Sequence, residues 1–367
     1  MKIAFDAKRF FNNSSGLGNY SRDLIRMMAT HYPENQYILL NKNLSKKGAE
    51  ILSLPNVLFL KTSAGTLSRQ FQMGKDAQNQ QADIFHGLSG ELPLKWNSKP
   101  IKKIVTIHDL IFERYPQYYS WFDRKIHLWK FKKAAHSADR IIAISEQTKK
   151  DIIQFLKVPE GKIAVVYQGC HQAFKEDFDE SKASVLKEKH SLPNRFILNV
   201  GTVEPRKNAL SLVQAIQNTD IPLIMVGRKT AYAEKIQRFL RKNKMENQVL
   251  FLEDVSMEEL ATLYKMADIF VYPSFFEGFG IPVIEALFSG TPVITSGKSS
   301  LPEAGGNGAL YIDPENPEDL AAKIKFLWNH ETERKRLAEI GLQYVQKFSD
   351  EIIAAEMIGV YREVLNS

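Results

Sequence analysis

The chain has 367 residues, with 49 Lys and Arg against 42 Asp and Glu and a formal charge of +7. Its 44% hydrophobic and 25% charged residues exclude a disordered or fibrous protein, and its length suits two domains at roughly 100–200 residues each. A single cysteine, Cys170, excludes an internal disulfide framework and a cysteine-rich zinc site.

The opening MKIAFDAKRF puts Asp6 and Arg9 where a signal peptide needs an apolar core. No apolar run approaches the ~18–20 residues that span a bilayer, so a soluble, cytoplasmic chain is expected. Charge is uneven along the sequence. Residues 1–172 carry 26 Lys and Arg against 14 Asp and Glu, a net +12, whereas residues 173–367 are net −5. Such an excess suits solvated lysines on helix faces or an acidic partner: nucleic acid, an anionic membrane or a phosphorylated substrate.

In chain order, short apolar runs alternate with helical stretches. Strands are predicted at 2–7, 37–40, 57–61, 84–86, 104–107, 140–144 and 164–167, with helices at 20–31, 121–138 and 147–156 between them. A polar, charge-rich stretch at 174–195 reads as the connection between domains. The pattern then restarts, with strands at 196–200, 223–226, 249–252, 269–272, 293–295 and 309–312. Helices there are predicted near 209–216, 231–243, 257–266, 283–288 and 317–328. A final helix at 349–365 could pack on its own domain or cross back to the first. Strand–helix alternation with Val- and Ile-rich strands predicts an α/β protein of two doubly wound parallel sheets, spanning 1–172 and 173–348, with 349–367 a terminal helix.

Open parallel sheets bind ligands at the carboxyl ends of their strands, so the loops following strands carry the candidate chemistry. After the first strand, residues 12–20 include Gly16 and Gly18 and lead into a helix, where bare backbone can approach a ligand. Ser21 stands where a dinucleotide fingerprint needs a third glycine, so an ordinary glycine loop and a phosphate- or sugar-binding loop remain equal alternatives. Past the strand at 104–107, His108 and Asp109 form either a structural pair or a group that can hydrogen-bond a sugar hydroxyl. His86 reads as structural.

Residues 112–131 hold eight aromatics, interleaved with Arg114, Arg124, Lys125 and Lys130. Such a stretch fits an anionic membrane surface or a lipid-linked acceptor, and equally a core helix with a wet, basic back. In the second half, Arg206 and Lys207 follow the first strand at what reads as a helix N-terminus. Cations are unfavourable there unless an anion is bound, the alternative being a pair with Glu204. The run from Phe275 to Leu287 contains Glu277, Gly278, Phe279, Gly280 and Glu285, with Pro282 in the first helical turn. Its two glutamates are separated by ~12 Å of helix rise, too far to serve one bond as paired glycosidase carboxylates ~5–9.5 Å apart do. Each is expected to hold its own group on one extended ligand, with the N–H groups of Phe279 and Gly280 facing an anion.

Together Gly16-Leu17-Gly18, Ile107-His108-Asp109, Glu204-Pro205-Arg206-Lys207-Asn208, Phe276-Glu277-Gly278-Phe279-Gly280 and Glu285 resemble the retaining, nucleotide-sugar-dependent glycosyltransferases of family 4. The spacing of Glu277 and Glu285 matches that family's E-x7-E pattern, and the Glu-Pro-Arg-Lys-Asn variant looks most like bacterial mannosyltransferases acting on polysaccharides. The resemblance implies the GT-B fold, two Rossmann-like domains facing across a cleft. It also implies hinges near 170–195 and before the last helix. By that resemblance Arg206 and Lys207 hold the donor diphosphate, Glu285 the donor ribose, and Glu277, Phe279 and Gly280 the sugar and nearby phosphate. Val255 meets the nucleobase, His108 contacts the transferred sugar, and Gly16 and Gly18 approach the diphosphate. Many relatives have a basic residue where this chain has Thr202, which leaves more of the phosphate charge to Arg206 and Lys207.

The expected reaction is hexose transfer, with mannose from GDP-mannose favoured, onto a glycan or lipid-linked acceptor. It is expected to proceed with retention and without metal or cofactor. A UDP-sugar glucosyl- or galactosyltransferase and a nucleotide-sugar epimerase are the enzyme rivals. Nucleic-acid binding rests on charge alone and ranks last.

Overall fold

The computed structural model describes residues 1–13, 16–62, 66–97 and 100–367. The chain divides into two units, Met1–Gly169 together with Phe348–Ser367, and Cys170–Lys347. In the first unit β1 (Lys2–Asp6), β2 (Gln36–Asn41), β3 (Val57–Lys61), β4 (Ile84–Gly87), β5 (Lys102–Ile107), β6 (Arg140–Ala143) and β7 (Ile163–Val165) form one sheet. It is parallel throughout, in the order 3-2-1-4-5-6-7. The second unit repeats the plan with β8 (Ile197–Val200), β9 (Leu223–Val226), β10 (Val249–Leu252), β11 (Ile269–Tyr272), β12 (Val293–Ser296) and β13 (Ala309–Ile312), ordered 10-9-8-11-12-13. Both are doubly wound Rossmann-like sheets. All thirteen predicted strands are present among the described residues.

The central strands are buried from end to end. Ile197-Leu198-Asn199-Val200 and Ile269-Phe270-Val271-Tyr272 expose almost nothing, as helices on both sheet faces require. On one face of the second sheet Ile197, Leu223, Ile269 and Ile294 pack against Leu212, Ile236, Ile324 and Leu327 from flanking helices. In each sheet the order reverses between the first strand and its later neighbour, β1 beside β4 and β8 beside β11. Ligand crevices form at such reversal points.

Two elements differ from the sequence reading, and a third takes one of the two courses that reading left open. The stretch 174–195 is not a loop: Asp179 caps the helix Glu180–His190, which lies in the second unit. That helix buries only Ala183 and Leu186, so its apolar periodicity is nearly silent. A second helix, Glu331–Val345, is absent from the prediction for the same reason: it buries only Leu337, Gly341 and Val345. The terminal helix Asp350–Leu365 belongs to the first unit. It buries Ile353, Met357, Ile358 and Tyr361, pairs Asp350 with Arg26 at 2.7 Å, and bonds the Tyr361 hydroxyl to His86 Nδ1 at 2.7 Å.

The aromatic-basic stretch becomes the helix Trp121–Ser137, whose cap Ser120 accepts from the Asp123 N–H. Only Ala134 and Ala135 are fully buried on it. The core-helix alternative holds for Phe131, which meets buried Phe112 edge to face at 5.4 Å. It fails for Trp121, Phe122, Ile126 and Trp129, which are 53–73% exposed.

Candidate functional site

The second unit gathers its candidates at the reversal point. The loops after β8 and β11 are tied together by a hydrogen bond from the Phe275 N–H to the Arg206 carbonyl, 2.9 Å. Residues Pro205–Lys207 form a single 3₁₀ turn, and Asn208, in the left-handed region at φ 55°, separates it from the helix Ala209–Ala215. Arg206 and Lys207 therefore precede the helix rather than occupying its first turn. The dipole argument for an anion does not apply to them.

Carboxylates compensate their charge instead. The Arg206 guanidinium contacts Glu204 at 2.6 Å and Glu277 at 2.8 Å, and donates to the Phe276 carbonyl. Lys207 Nζ contacts the other oxygen of Glu277 at 3.1 Å and donates to the Tyr272 hydroxyl, which in turn donates to Glu277 at 2.9 Å. Burial alone would raise the Glu277 carboxyl, but Lys207 and Arg206 outweigh it and bring it down to about 2. Burial and the Glu277 charge push Tyr272 up to about 12. Lys207 is raised, since Glu277 and Tyr272 overcome its desolvation. Glu277 thus stands ionised between two cations, of which Lys207 also lies over the Tyr272 ring at 4.8 Å.

The backbone around Glu277 is held from the next loop. Ser299 Oγ accepts from the Glu277 N–H at 3.2 Å and donates to its carbonyl at 2.7 Å, while Ser300 Oγ bridges the Glu277 and Phe279 carbonyls at 2.8 Å each. Gly280, at φ 128°, is the N-cap of the helix Ile281–Phe288, and a Cβ there would press on Leu301 and Ala304. No L-residue adopts that turn without strain. The N-terminus it forms offers N–H groups and a positive dipole end beside Arg206 and Lys207. One turn into this helix, Glu285 is buried and accepts from the Tyr264 hydroxyl at 3.0 Å. Burial, then Glu285, raises that hydroxyl well above its ordinary range. Val255 is half-buried in the turn after β10.

Sequence reasoning brought Arg206, Lys207, Glu277, Phe279 and Gly280 to one place. It missed Tyr272, Ser299, Ser300 and Tyr264. Tyr272 ends β11, and the serines follow β12, so position relative to a strand end was the available signal.

In the first unit the helix Gly16–His31 begins at Gly16, so both glycines belong to its first turn rather than to a loop. Ser14 and Ser15 of that run lie outside the described residues. A Cβ on Gly18 would collide with the Asn13 carbonyl, which Arg22 also engages at 3.0 Å. His108 has both ring nitrogens partnered: Nε2 donates to the Leu88 carbonyl at 2.8 Å, which leaves Nδ1 to accept from Gln168 at 3.1 Å. Burial lowers it to about 4, against the Leu88 bond. Tyr20 sits edge-on to the ring at 4.6 Å. Asp109 caps its own turn by accepting from the Ile111 N–H at 3.1 Å. His86 is fully buried between Tyr361 and Thr106 Oγ1.

An Asp-x-Asp triplet, a spacing suited to holding a metal ion, occurs at Asp177-Phe178-Asp179. Asp179 is spent on capping, accepting from the Ser181 and Lys182 N–H groups. Among the described residues no three His, Cys, Asp or Glu side chains converge as metal ligands.

Two family models meet on this chain. The one described as glycosyl transferases group 1 matches residues 181–344, and the one described as glycosyltransferase family 4 matches residues 14–173. The chain belongs to the family 4, group 1 glycosyltransferases. It is 26% identical to O-antigen chain mannosyltransferase B of Escherichia coli over 99% of this chain and 100% of that one. It is 33% identical to O-antigen chain mannosyltransferase RfbU of Salmonella typhimurium over 60% of this chain and 59% of its relative. A glycosyltransferase crystal structure from Rickettsia africae superposes with a TM-score of 0.78 at 18% identity, covering 100% and 99% of the two chains. That likeness establishes the GT-B transferase fold. No helix among the described residues is long and apolar enough to cross a membrane.

Proposed function

We propose that this glycosyltransferase moves mannose from GDP-mannose to a glycan or lipid-linked acceptor in bacterial polysaccharide synthesis, with retention at the anomeric carbon. The observation that carries the reading is the Arg206–Lys207–Glu277 cluster beside the N-terminus of helix Ile281–Phe288. The O-antigen mannosyltransferase relatives supply the sugar and the pathway class.

In this reading the donor diphosphate takes the place of Glu204 as the mobile anion at Arg206, Glu204 being one-third exposed and free to turn to water. Lys207, Arg206 and the helix N–H groups then stabilise the charge that develops as the bond from C1 to the phosphate oxygen breaks. The acceptor oxygen bonds to C1 on the same face, and its proton passes to the departing phosphate. Glu277 and His108 are assigned to the sugar, Glu285 to the ribose, Val255 to the base, and Gly16 and Gly18 to the diphosphate. Glu277, ionised and clamped by two cations, is a poor nucleophile, which supports attack without a covalent intermediate. A mannosyl adduct on Glu277 detected by mass spectrometry would overturn this step. The exposed Trp121, Phe122 and Ile126 support peripheral contact with an anionic membrane.

A thermal-shift panel of GDP-, UDP- and ADP-sugars tests the donor. GDP-mannose should give the largest shift, and Lys207→Ala should abolish most of it. Equal shifts in both proteins would remove Lys207 from the site, and a larger shift with a UDP-sugar would replace the donor. Conversion of the nucleotide-sugar without acceptor would instead support an epimerase.

A further inference from the structure

The first unit carries an open cavity of about 590 Å³, lined by residues between Lys8 and Ser137. That volume suits a small organic ligand. Six cationic side chains line it against a single carboxylate, Glu91. Glu91 is already used: Arg69 pairs with it at 2.7 Å and Lys130 at 3.4 Å, and Arg69 also reaches Asp6. The remaining cations, Lys8, Lys42, Lys103 and Lys133, have no carboxylate within ion-pair distance among the described residues. Lys103 lies instead over the Trp96 ring at 5.0 Å and Lys133 over Trp129 at 5.2 Å. Six cations against one carboxylate leave the pocket with an excess of positive charge that an anion would neutralise. Two indole faces beside them give the rest of such a ligand a flat apolar surface.

We infer that this cavity binds the phosphate or diphosphate group of the acceptor, with the attached sugar or isoprenoid against Trp96 and Trp129. The word acceptor rests on the transferase reading above; the anion site does not. It also accounts for part of the +12 of residues 1–172, which solvated helix lysines alone leave without purpose.

The test uses tryptophan fluorescence in a Lys207→Ala background, so that the donor site does not take up the probe. The probes are inorganic pyrophosphate, glucose 1-phosphate, farnesyl diphosphate and farnesol, each compared with Lys42→Ala/Lys133→Ala. Both lysines are exposed, so the double variant keeps its fold, and calorimetry on the same two proteins repeats each Kd without the fluorescence reporter. The expected result is saturable quenching by the phosphorylated probes and at least a tenfold weaker Kd in the double variant. Tighter binding of farnesyl diphosphate than of glucose 1-phosphate supports a lipid carrier as the source, and the reverse order supports a free sugar phosphate. Equal affinity in the two proteins, or farnesol as tight as farnesyl diphosphate, overturns the site. Loss of every donor shift with lysine-dependent pyrophosphate binding intact would strike the transferase reading and leave the anion site standing.

Discussion

Glu277 is the residue on which the donor-side geometry turns, because it faces two cations that share its burial. Its carboxyl is held near 2, below the ordinary 4.5, so its ionised form stabilises the fold fully above pH 4.5 and loses that contribution as pH falls towards 2. The difference amounts to about 3 kcal/mol. Replacing it by Gln leaves Lys207 buried without its counter-charge and Arg206 with Glu204 alone, and breaking a buried pair costs about 3–5 kcal/mol. Glu277→Gln is therefore expected to lower the unfolding free energy of the second unit by several kcal/mol at pH 7 and to flatten its loss between pH 4.5 and 2. Urea unfolding followed at Trp328, packed on Arg195 in that unit, reads both effects once Trp96, Trp121 and Trp129 are replaced by Phe. Unchanged stability would mean that the cations find other partners. The sequence made Glu277 conspicuous through its glycines but could not reveal this clamp, because the clamp depends on β8 and β11 being neighbours. The same ignorance of neighbours hid Tyr272, whose place at a strand end says nothing of the hydroxyl it shares with Lys207.

At the level of elements, strands were legible and quiet helices were not. A strand buried on both faces writes itself as an unbroken apolar run, as in Ile269-Phe270-Val271-Tyr272. Helices Glu180–His190 and Glu331–Val345 each bury only two side chains, too few to set a period. The helix Trp121–Ser137 presents the opposite case, an aromatic signal strong enough to read but ambiguous in direction. Trp121, Lys125 and Trp129 repeat every four residues and so share a face, with Phe122 and Ile126 beside them. The Lys125 amine rests over Trp121 at 5.8 Å. A stripe of indoles and amines suits the headgroup layer of an anionic bilayer. Co-sedimentation with vesicles should therefore rise with their phosphatidylglycerol content. It should fall by more than half in Trp121→Ser/Phe122→Ser, with GDP-mannose binding unaffected. Sedimentation indifferent to anionic lipid would return these lysines to simple solvation.

Over the whole molecule, the two units share a plan yet respond differently to acid, and the reason lies in where each keeps its buried ionisable groups. The second unit holds a carboxylate between cations, which titrates below pH 4.5. The first unit holds two neutral imidazoles. Burial lowers His86 to about 3, with His108 adding to it, and burial lowers His108 to about 4. Around them stand the hydroxyls of Tyr20, Thr106 and Tyr361, and the Arg9 charge also lowers His108. Both histidines bind a proton near pH 6.5 once unfolded and refuse it when folded, so the unfolded chain gains protons as pH drops. Stability is thus complete above pH 6.5 and falls progressively below it, by about 2 kcal/mol per histidine at pH 5. Tryptophan emission reports chiefly on the first unit, which carries Trp96, Trp121 and Trp129. Urea unfolding read this way should show a markedly lower midpoint at pH 5 than at pH 7.5. In His86→Gln the difference between the two pH values should shrink by about half, whatever the substitution costs at pH 7.5. A pH dependence identical in wild type and variant would show that His86 is protonated within the fold. Its bonds to Tyr361 and Thr106 would then join the terminal helix to the sheet through a charged ring.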